Sequence, residues 1–346
     1  MGWTDARLIE DAVECNHGAV GDLTRRKYKD HLHHFAEYLA GVHQSNFHEA
    51  SKKQVRLFMG HLEKAGGENP DLARLACPWC KARGYPDGRN GPGWSASTRK
   101  SYLSALRYLY RHFQADEDLE DRDPTILETS PKIIIKRGYT PSREDVKKLL
   151  ATDGPPRARL LVPWMFFAPA RRKTYSEVRW PDIDFEAAEW EVQDKNGKVY
   201  IYPLAPPLLR AFRTYRRWQF AEAERNPALR DALSDPTTAY VLLTANGKRT
   251  MPTTITKIAT WHGIRAEVGL KKATPGADSV DGMTSLVTPH CFRRAWATLA
   301  LNDEEDPKPI DVVSEVLMHK EIATTRRHYA PTLPERAQAA VADMRL

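Results

Sequence analysis

Apolar residues recur at helical spacing three times in the first 115 residues. In "DLTRRKYKDHLHHFAEYLAG", Tyr28, Leu32, Phe35 and Leu39 fall at i, i+4, i+7 and i+11, which is one face of a helix. Gly41 reads as the stop of that helix. In "SKKQVRLFMGHLEKAGG", Ser51 and Gln54 form a capping-box pair, Val55, Phe58 and Leu62 form the stripe, and Gly66-Gly67 end it. In "SASTRKSYLSALRYLYRHF", Leu103, Leu106, Tyr110 and Phe113 share a face, and Arg99, Lys100, Arg107 and Arg111 occupy the opposite one. That basic face is either simply solvated or turned toward an anionic partner. A long Gly/Pro-rich segment, about 66–95, separates the second helix from the third.

Residues 116–139 read as a last short helix and a linker, which puts a domain boundary near residue 137. Beyond it the pattern becomes mixed. Thr140 reads as an N-cap, with Pro141 opening a helix and Glu144 in its first turn. A helical pattern over 157–180 leads to a hairpin over 189–204, whose Asn196-Gly197 turn joins two alternating runs. A helix over 206–224, a strand over 239–244 and a helix over 252–269 follow, the last with Ile255, Ile258 and Trp261 on one face and Gly269 at its end. After a Gly/Ser/Asp-rich loop, 271–287, Thr288 caps a helix that Pro289 opens, and His290 and Arg293 share a face at i, i+3. Two short helices and an amphipathic tail, 333–346, close the chain. The expected fold is mainly α with a small antiparallel β-sheet, in two domains, 1–136 and 137–346.

Composition narrows the class. At 41% hydrophobic residues the chain can pack ordinary cores. Lys and Arg exceed Asp and Glu by 52 to 45, a balance that matters only where it clusters. Four cysteines are too few for a disulfide scaffold in 346 residues. The start carries no apolar run of the signal-peptide type, and no stretch approaches the ~20 apolar residues of a membrane span. These features lead us to expect a cytoplasmic, nucleoid-associated protein with no membrane partner.

Chemistry concentrates in "LMHKEIATTRRHYAP", residues 317–331. Tyr329 follows Arg326, Arg327 and His328, company that suits an anion better than an apolar core. A phenol that attacks a phosphodiester needs a base or local positive charge. The five-coordinate phosphorus needs fixed guanidinium forks on its non-bridging oxygens. The leaving 5′ oxygen needs a proton from Lys or His, and no metal is required. Arg171 or Arg172, Lys195, His290, Arg293 and His319 supply that set.

The order Arg, Lys, His-x-x-Arg, His, Tyr resembles that of the tyrosine recombinases, the phage-integrase family. "TPHCFRRAWAT" resembles the family's His-x-x-Arg box, "LMHKEIATTRRHYAP" its Leu-Gly-His…Thr-Thr…Tyr box, "APARRKTYSEVRWPDID" its first-arginine box and "KNGKVYIYPL" its lysine hairpin. Residues 140–335 carry the motifs, and the N-terminal helices with "SALRYLY" resemble the family's core-binding domain. The resemblance implies a helical, SAM-like core-binding domain followed by an α+β catalytic domain. It implies a site-specific recombinase or integrase that cuts and rejoins double-stranded DNA through a 3′-phosphotyrosyl bond at Tyr329, without a cofactor. Arg171 and Arg293 would hold the non-bridging oxygens, His290 would handle protons, His319 would bond the phosphate and Lys195 would protonate the leaving oxygen. Arg99, Lys100, Arg107, Arg111, Arg172, Arg294 and Arg326 are candidate DNA contacts. The tail helix would pack on a neighbouring protomer in a tetramer on two DNA sites, with accessory DNA-bending or directionality proteins as further partners. A type IB topoisomerase and a catalytically silent DNA-binding protein of the same fold are the competing readings. Three departures from the family pattern stand out: Thr174 where Glu is common, Met318 where Gly is usual, and ten residues from His319 to Tyr329 where nine is commoner.

"CPWCKARGY" has the spacing of half a zinc site. Cys15 and His17 of "CNH" would complete a Cys3His site with Cys77 and Cys80, a structural zinc tying the long loop to the N-terminus. Two free thiols are the alternative. Cys291 reads as packed rather than reactive.

Overall fold

The computed structural model describes residues 5–14, 21–63, 77–82, 94–115, 123–133, 138–193, 199–274, 276–303, 305–319 and 321–329. The chain divides into two units, Met1–Lys136 and Arg137–Leu346, each with its own apolar core.

The N-terminal unit is helical in its described residues. Helix α1 (Asp5–Glu14) was not expected; it buries Leu8, Ile9, Ala12 and Val13, and its Asp5 carboxylate accepts the Phe47 N–H at 3.1 Å. Helix α2 (Asp22–Tyr38) buries Leu32 and Phe35 as its spacing predicts, together with His31, His34 and Tyr38. Gly41 does not stop it. The chain runs on through a π-helical turn, Leu39–His43, and turns at Gln44 with φ 49°. Gly41 instead admits a neighbour, because a Cβ there would lie 2.5 Å from Pro78 Cγ. Helix α3 (Lys52–Glu63) starts at the expected capping box: Ser51 N–H donates to Gln54 Oε1 at 2.7 Å, and Gln54 N–H to Ser51 Oγ at 3.3 Å. The short α4 (Pro78–Ala82) lies in the Gly/Pro-rich segment, and α5 (Ala96–Ala115) buries Leu103, Leu106 and Tyr110. The expected glycine stop of α3 lies outside the described residues. Of the segment expected to hold a last helix and a linker, residues 123–133 hold a turn at 124–127 and are otherwise irregular.

The C-terminal unit begins with α6 (Arg143–Ala151). Its cap is Ser142, not Thr140. Ser142 Oγ accepts the Asp145 N–H at 3.1 Å and the Asp145 carboxylate accepts the Ser142 N–H at 3.0 Å. That reciprocal pair satisfies two donors at once, which a Thr140 cap could not do without Glu or Gln three residues on. The helix expected over 157–180 is two, α7 (Pro156–Phe167) and α8 (Arg172–Glu177). Pro169 explains the break, since it has no N–H and forces Ala168 out of the helical region.

Strands β1 (Ile183–Asp184), β2 (Glu189–Gln193) and β3 (Val199–Pro203) form an antiparallel sheet in that order, with Trp190 opposite Tyr202. Trp190, Val192 and Tyr202 face the core beside Trp164 and Phe212. The connection 194–198, with Asn196-Gly197 and Lys195, lies outside the described residues. Helices α9 (Pro206–Arg225), α10 (Pro227–Ser234) and α11 (Pro252–Arg265) follow. The strand expected over 239–244 makes only isolated bridges, Arg179 to Tyr240 and Leu243 to Arg249. Helix α11 buries Ile255, Ala259, His262 and Gly263, while Trp261 is 44% exposed, so its inward face is not the one the large residues mark. Gly263 decides this: a Cβ there would come within 2.3 Å of Ser285 Oγ. The loop expected over 271–287 contains a hairpin, β4 (Leu270–Lys272) with β5 (Met283–Ser285). Helices α12 (Pro289–Leu301), α13 (Ile310–Val316) and α14 (Ile322–Tyr329) complete the described chain, and the tail, 333–346, lies outside it. Among the described residues no helix is long and apolar enough to cross a membrane.

Candidate active site

The C-terminal end of α13 organises the site. A helix end leaves its last carbonyls without intrahelical partners. Here the Met318 N–H donates to Glu315 O at 2.8 Å and the His319 N–H to Ser314 O at 3.0 Å, the two bonds of a Schellman motif. That motif needs a left-handed residue, and Met318 takes it with φ 48°. This is the physical reason for a glycine at that place in the family pattern. Met318 is tolerated because its side chain is buried in the unit's main core.

Three successive carbonyls beyond that end are then taken by side chains from three other elements. Tyr202 Oη of β3 donates to Val316 O. A terminal guanidinium nitrogen of Arg293 donates to Leu317 O, and Arg171 donates to Met318 O at 3.1 Å. Arg293 also donates to Pro169 O at 2.5 Å, in the break between α7 and α8. The arginines therefore sit where a helix presents its negative end, which favours cations. Burial pulls the Arg293 guanidinium below its ordinary range, and the phenols of Tyr329 and Tyr202 act against that shift. Burial pushes the Tyr202 phenol up, so at neutral pH it is a hydrogen-bond donor.

Arg171 and Arg172 separate clearly. Arg171 is the N-cap residue of α8 and reaches Met318 O; Arg172 points to α11 and donates to Thr256 Oγ1 at 3.1 Å. His319 is half-buried, and its Nδ1 lies 2.7 Å from Thr325 Oγ1, which is fully buried on α14. Its ring stacks on Tyr329, centroids 5.8 Å apart at 11°. Tyr329 is buried against Ala297, Leu301, Val313 and Leu317. Its tertiary company is thus apolar on one side, although its sequence neighbours are basic. His290 is exposed in the first turn of α12, whereas Arg293 on the same helix is buried. Thr288 stands at the N-cap but its side chain makes no cap bond; its Oγ1 lies 3.2 Å from Cys291 Sγ. Cys291 is buried and donates to Leu286 O at 3.0 Å, a packed thiol. Thr325 lies in the Thr-Thr of the recognised box, although no role was read for it, and Tyr202 was missed. Nothing local marks Tyr202, since it matters only through Val316, 114 residues away.

The other basic candidates divide. Arg99 pairs with Glu63 at 2.8 Å, and Arg107 donates to Glu128 O at 2.5 Å. Arg294 donates to Tyr139 O at 2.7 Å and is half-buried. These three are engaged in holding their own unit. Lys100, Arg111, Arg172 and Arg326 are exposed.

In the N-terminal unit Cys77 and Cys80 are buried and unbridged. They meet two side chains the sequence reading did not single out. The ligating atoms of His34 (α2), His61 (α3), Cys77 and Cys80 all lie within 4.8 Å of one another. Cys15 and His17, the partners expected for the pair, lie outside the described residues.

Comparison with known proteins gives one consistent result. Residues 142–336 match the Phage integrase family. Tyrosine recombinase XerD of Mycobacterium leprae is 28% identical over 336 residues, spanning 94% of this chain and 90% of that protein. Tyrosine recombinase XerA of Pyrococcus horikoshii is 24% identical over 308 residues, spanning 86% and 87%. Among solved structures, XerH site-specific recombinase in a pre-cleavage complex with its difH substrate aligns with a TM-score of 0.60 at 16% identity, over 98% of this chain and 85% of that one. At that identity the likeness is one of fold.

Proposed function

Because the chain belongs to the phage integrase family and is a tyrosine-type site-specific DNA recombinase, we propose that Tyr329 is its nucleophile and that Arg171, Lys195, His290, Arg293 and His319 complete the catalytic set. One observation carries this reading: Arg171, Arg293 and His319 gather at the end of α13, and the Tyr329 ring stacks on His319. Two guanidinium groups there offer further N–H donors, beyond those bound to carbonyls, to the non-bridging oxygens of a phosphate. Tyr329 Oη attacks the phosphorus, the bond from phosphorus to the 5′ oxygen breaks, and Lys195 gives that oxygen its proton. The DNA 3′ phosphate remains on the tyrosine. Attack by a 5′-hydroxyl reverses the step, so the bond energy is conserved and no high-energy cofactor is needed. His290 exchanges the phenolic proton, and His319, held by Thr325, donates to the phosphate.

The substrate is double-stranded DNA. The N-terminal unit serves as the core-binding domain, with exposed Lys100 and Arg111 toward the backbone. The working assembly is a tetramer on two sites, joined through the tail. A nicked duplex carrying the flanks of the chain's own gene should trap a covalent adduct in denaturing electrophoresis, with protein on the 3′ side and a free 5′-hydroxyl. Tyr329→Phe removes one oxygen and should abolish the adduct while leaving DNA binding and its salt dependence intact. An adduct with Tyr329→Phe, or protein on the 5′ end, defeats the reading.

A further inference from the structure

The N-terminal unit holds a second polar cluster that strand exchange does not use. His34 comes from α2, His61 from α3, and Cys77 and Cys80 flank the first turn of α4. Cys80 Sγ lies 3.5 Å from His34 Nε2 and 3.4 Å from His61 Nε2. A tetrahedral zinc with bonds of about 2.3 Å to sulfur and 2.0–2.1 Å to nitrogen sets sulfur–nitrogen edges of roughly 3.6 Å. The two edges at Cys80 therefore already match a coordination shell, and the other donors lie within 4.8 Å of one another.

The surroundings fit the same ligand. If His34 Nε2 faces the cluster with its lone pair, Nδ1–H is free to donate to Tyr102 Oη, which lies 2.9 Å away. A hydrogen bond at the far nitrogen is what fixes the tautomer and orientation of a metal-bound histidine. Trp79 stacks on the His34 ring at 4.0 Å and 10°, and Phe58 meets it edge-on at 5.1 Å. Tyr38 covers His61 at 5.2 Å. These rings bury His34, Cys77 and Cys80, and leave His61 half-buried. Gly41 lets Pro78 seat between the two cysteines, since any side chain there would strike the proline ring. Two thiolates and two neutral imidazoles around a divalent ion carry no net charge, so such a centre can be buried without an uncompensated ion.

We propose that His34, His61, Cys77 and Cys80 form a structural Cys2His2 site for zinc. It fastens the inserted segment to α2 and α3. Its four ligands leave no open position for a substrate, so its role is in folding and not in strand cleavage.

The test uses the full-length chain, purified without an affinity tag or chelator. Elemental analysis should find about one zinc per chain. Exchange with cobalt should give thiolate-to-cobalt bands in the near ultraviolet and the strong visible bands of a tetrahedral ion. Stripping the metal should lower the Tm of the N-terminal unit by on the order of 10 °C, restored by zinc but not by magnesium. Cys77→Ser with Cys80→Ser should lose both the zinc and the cobalt spectrum. Tyr102→Phe, which keeps the ring, should retain the spectrum with affinity lower by about tenfold or more. Cys15→Ser with His17→Ala should leave stoichiometry and spectrum unchanged. A folded wild-type protein without zinc and without a cobalt spectrum overturns the proposal. So does a metal that survives loss of Cys77 and Cys80, or one that departs with Cys15 and His17.

Discussion

The two units solve opposite electrostatic problems with the same kind of scaffold. In the C-terminal unit, side chains with N–H and O–H donors converge on the end of α13, and backbone carbonyls hold them there. In the N-terminal unit, side chains with lone pairs converge from three helices, and aromatic rings hold them there. On the readings proposed above, the first arrangement receives an anion and the second a cation. Packing aromatic and aliphatic side chains does not distinguish them. What distinguishes them is which groups satisfy the buried polar atoms before a ligand arrives: carbonyls in one case, a tyrosine hydroxyl and the cluster's own members in the other.

The sharpest way to break that contrast is to remove the donors one at a time. Arg293→Ala should slow cleavage of a nicked duplex by on the order of a hundred- to a thousandfold, because it deletes transition-state charge stabilisation. It should also destabilise the C-terminal unit by about 1–3 kcal/mol, because Pro169 O and Leu317 O lose their buried partner. Arg171→Ala should give a similar kinetic loss with little change in stability, since Arg171 is exposed and holds one carbonyl. Arg172→Ala should change the rate of cleavage by less than about threefold, as an exposed side chain bonded only to Thr256 would. Single-turnover rates and denaturant melts of the three variants check the order. A larger rate loss for Arg172→Ala than for Arg171→Ala would reverse the assignment of the first arginine.

That last pair shows where sequence stops being informative. The boxes around Arg293, His319 and Tyr329 are legible because each is local: a helix start, a Schellman turn and a short helix. Arg171 and Arg172 are adjacent, and only the start of α8 decides which turns to α13 and which to α11. His34 and His61 lie on separate helices, 27 residues apart, with no fixed spacing to Cys77, so only packing unites them. His34 also stands next to Phe35 of the apolar stripe, where it reads as a flanking polar residue. The basic face of α5 was legible as a pattern, but two of its four cations turn to partners in their own unit. The hairpin of β4 with β5 escaped because three-residue strands are too short to show a period, whereas α1 does carry one, Leu8, Ile9, Ala12 and Val13 at i, i+1, i+4 and i+5, and was legible but passed over.

Acid should act on the N-terminal unit through His31. It is 6% exposed, its ring stacks on Tyr102 at 3.7 Å, and neither ring nitrogen has a hydrogen-bond partner among the described residues. Burial is the largest cause that pulls its pKa down to about 4, with Lys27 adding repulsion. The unfolded chain takes up the proton near pH 6.5 and the folded one only near 4. The stabilisation is complete above about pH 6.5 and is lost as pH falls through that window. The loss approaches about 3 kcal/mol at pH 4, at roughly 1.4 kcal/mol per pH unit. In His31→Phe, which keeps a ring against Tyr102, this share of the pH dependence should vanish. Parallel stability curves for wild type and variant between pH 7 and 4 would show that His31 does not titrate in folding.

The last variant tests how the C-terminal site is supported. Met318 holds the left-handed position that lets three carbonyls face Tyr202, Arg293 and Arg171, at a backbone cost of about 1 kcal/mol relative to glycine. Met318→Gly relieves that cost. It also removes a side chain that is 6% exposed in the unit's main core. Truncating a buried methionine costs about 2–5 kcal/mol, and the added freedom of glycine in the unfolded chain costs a further 0.5–1 kcal/mol or so. Burial therefore outweighs strain, and the substitution should destabilise the unit by about 1.5–5 kcal/mol, with a Tm lower by several degrees. Because glycine keeps the Schellman turn, covalent adduct formation measured well below that Tm should persist. A variant as stable as wild type would mean that strain, not burial, sets the balance at α13. A stable variant that has lost the adduct would mean that the Met318 side chain, and not only its backbone, positions Arg171.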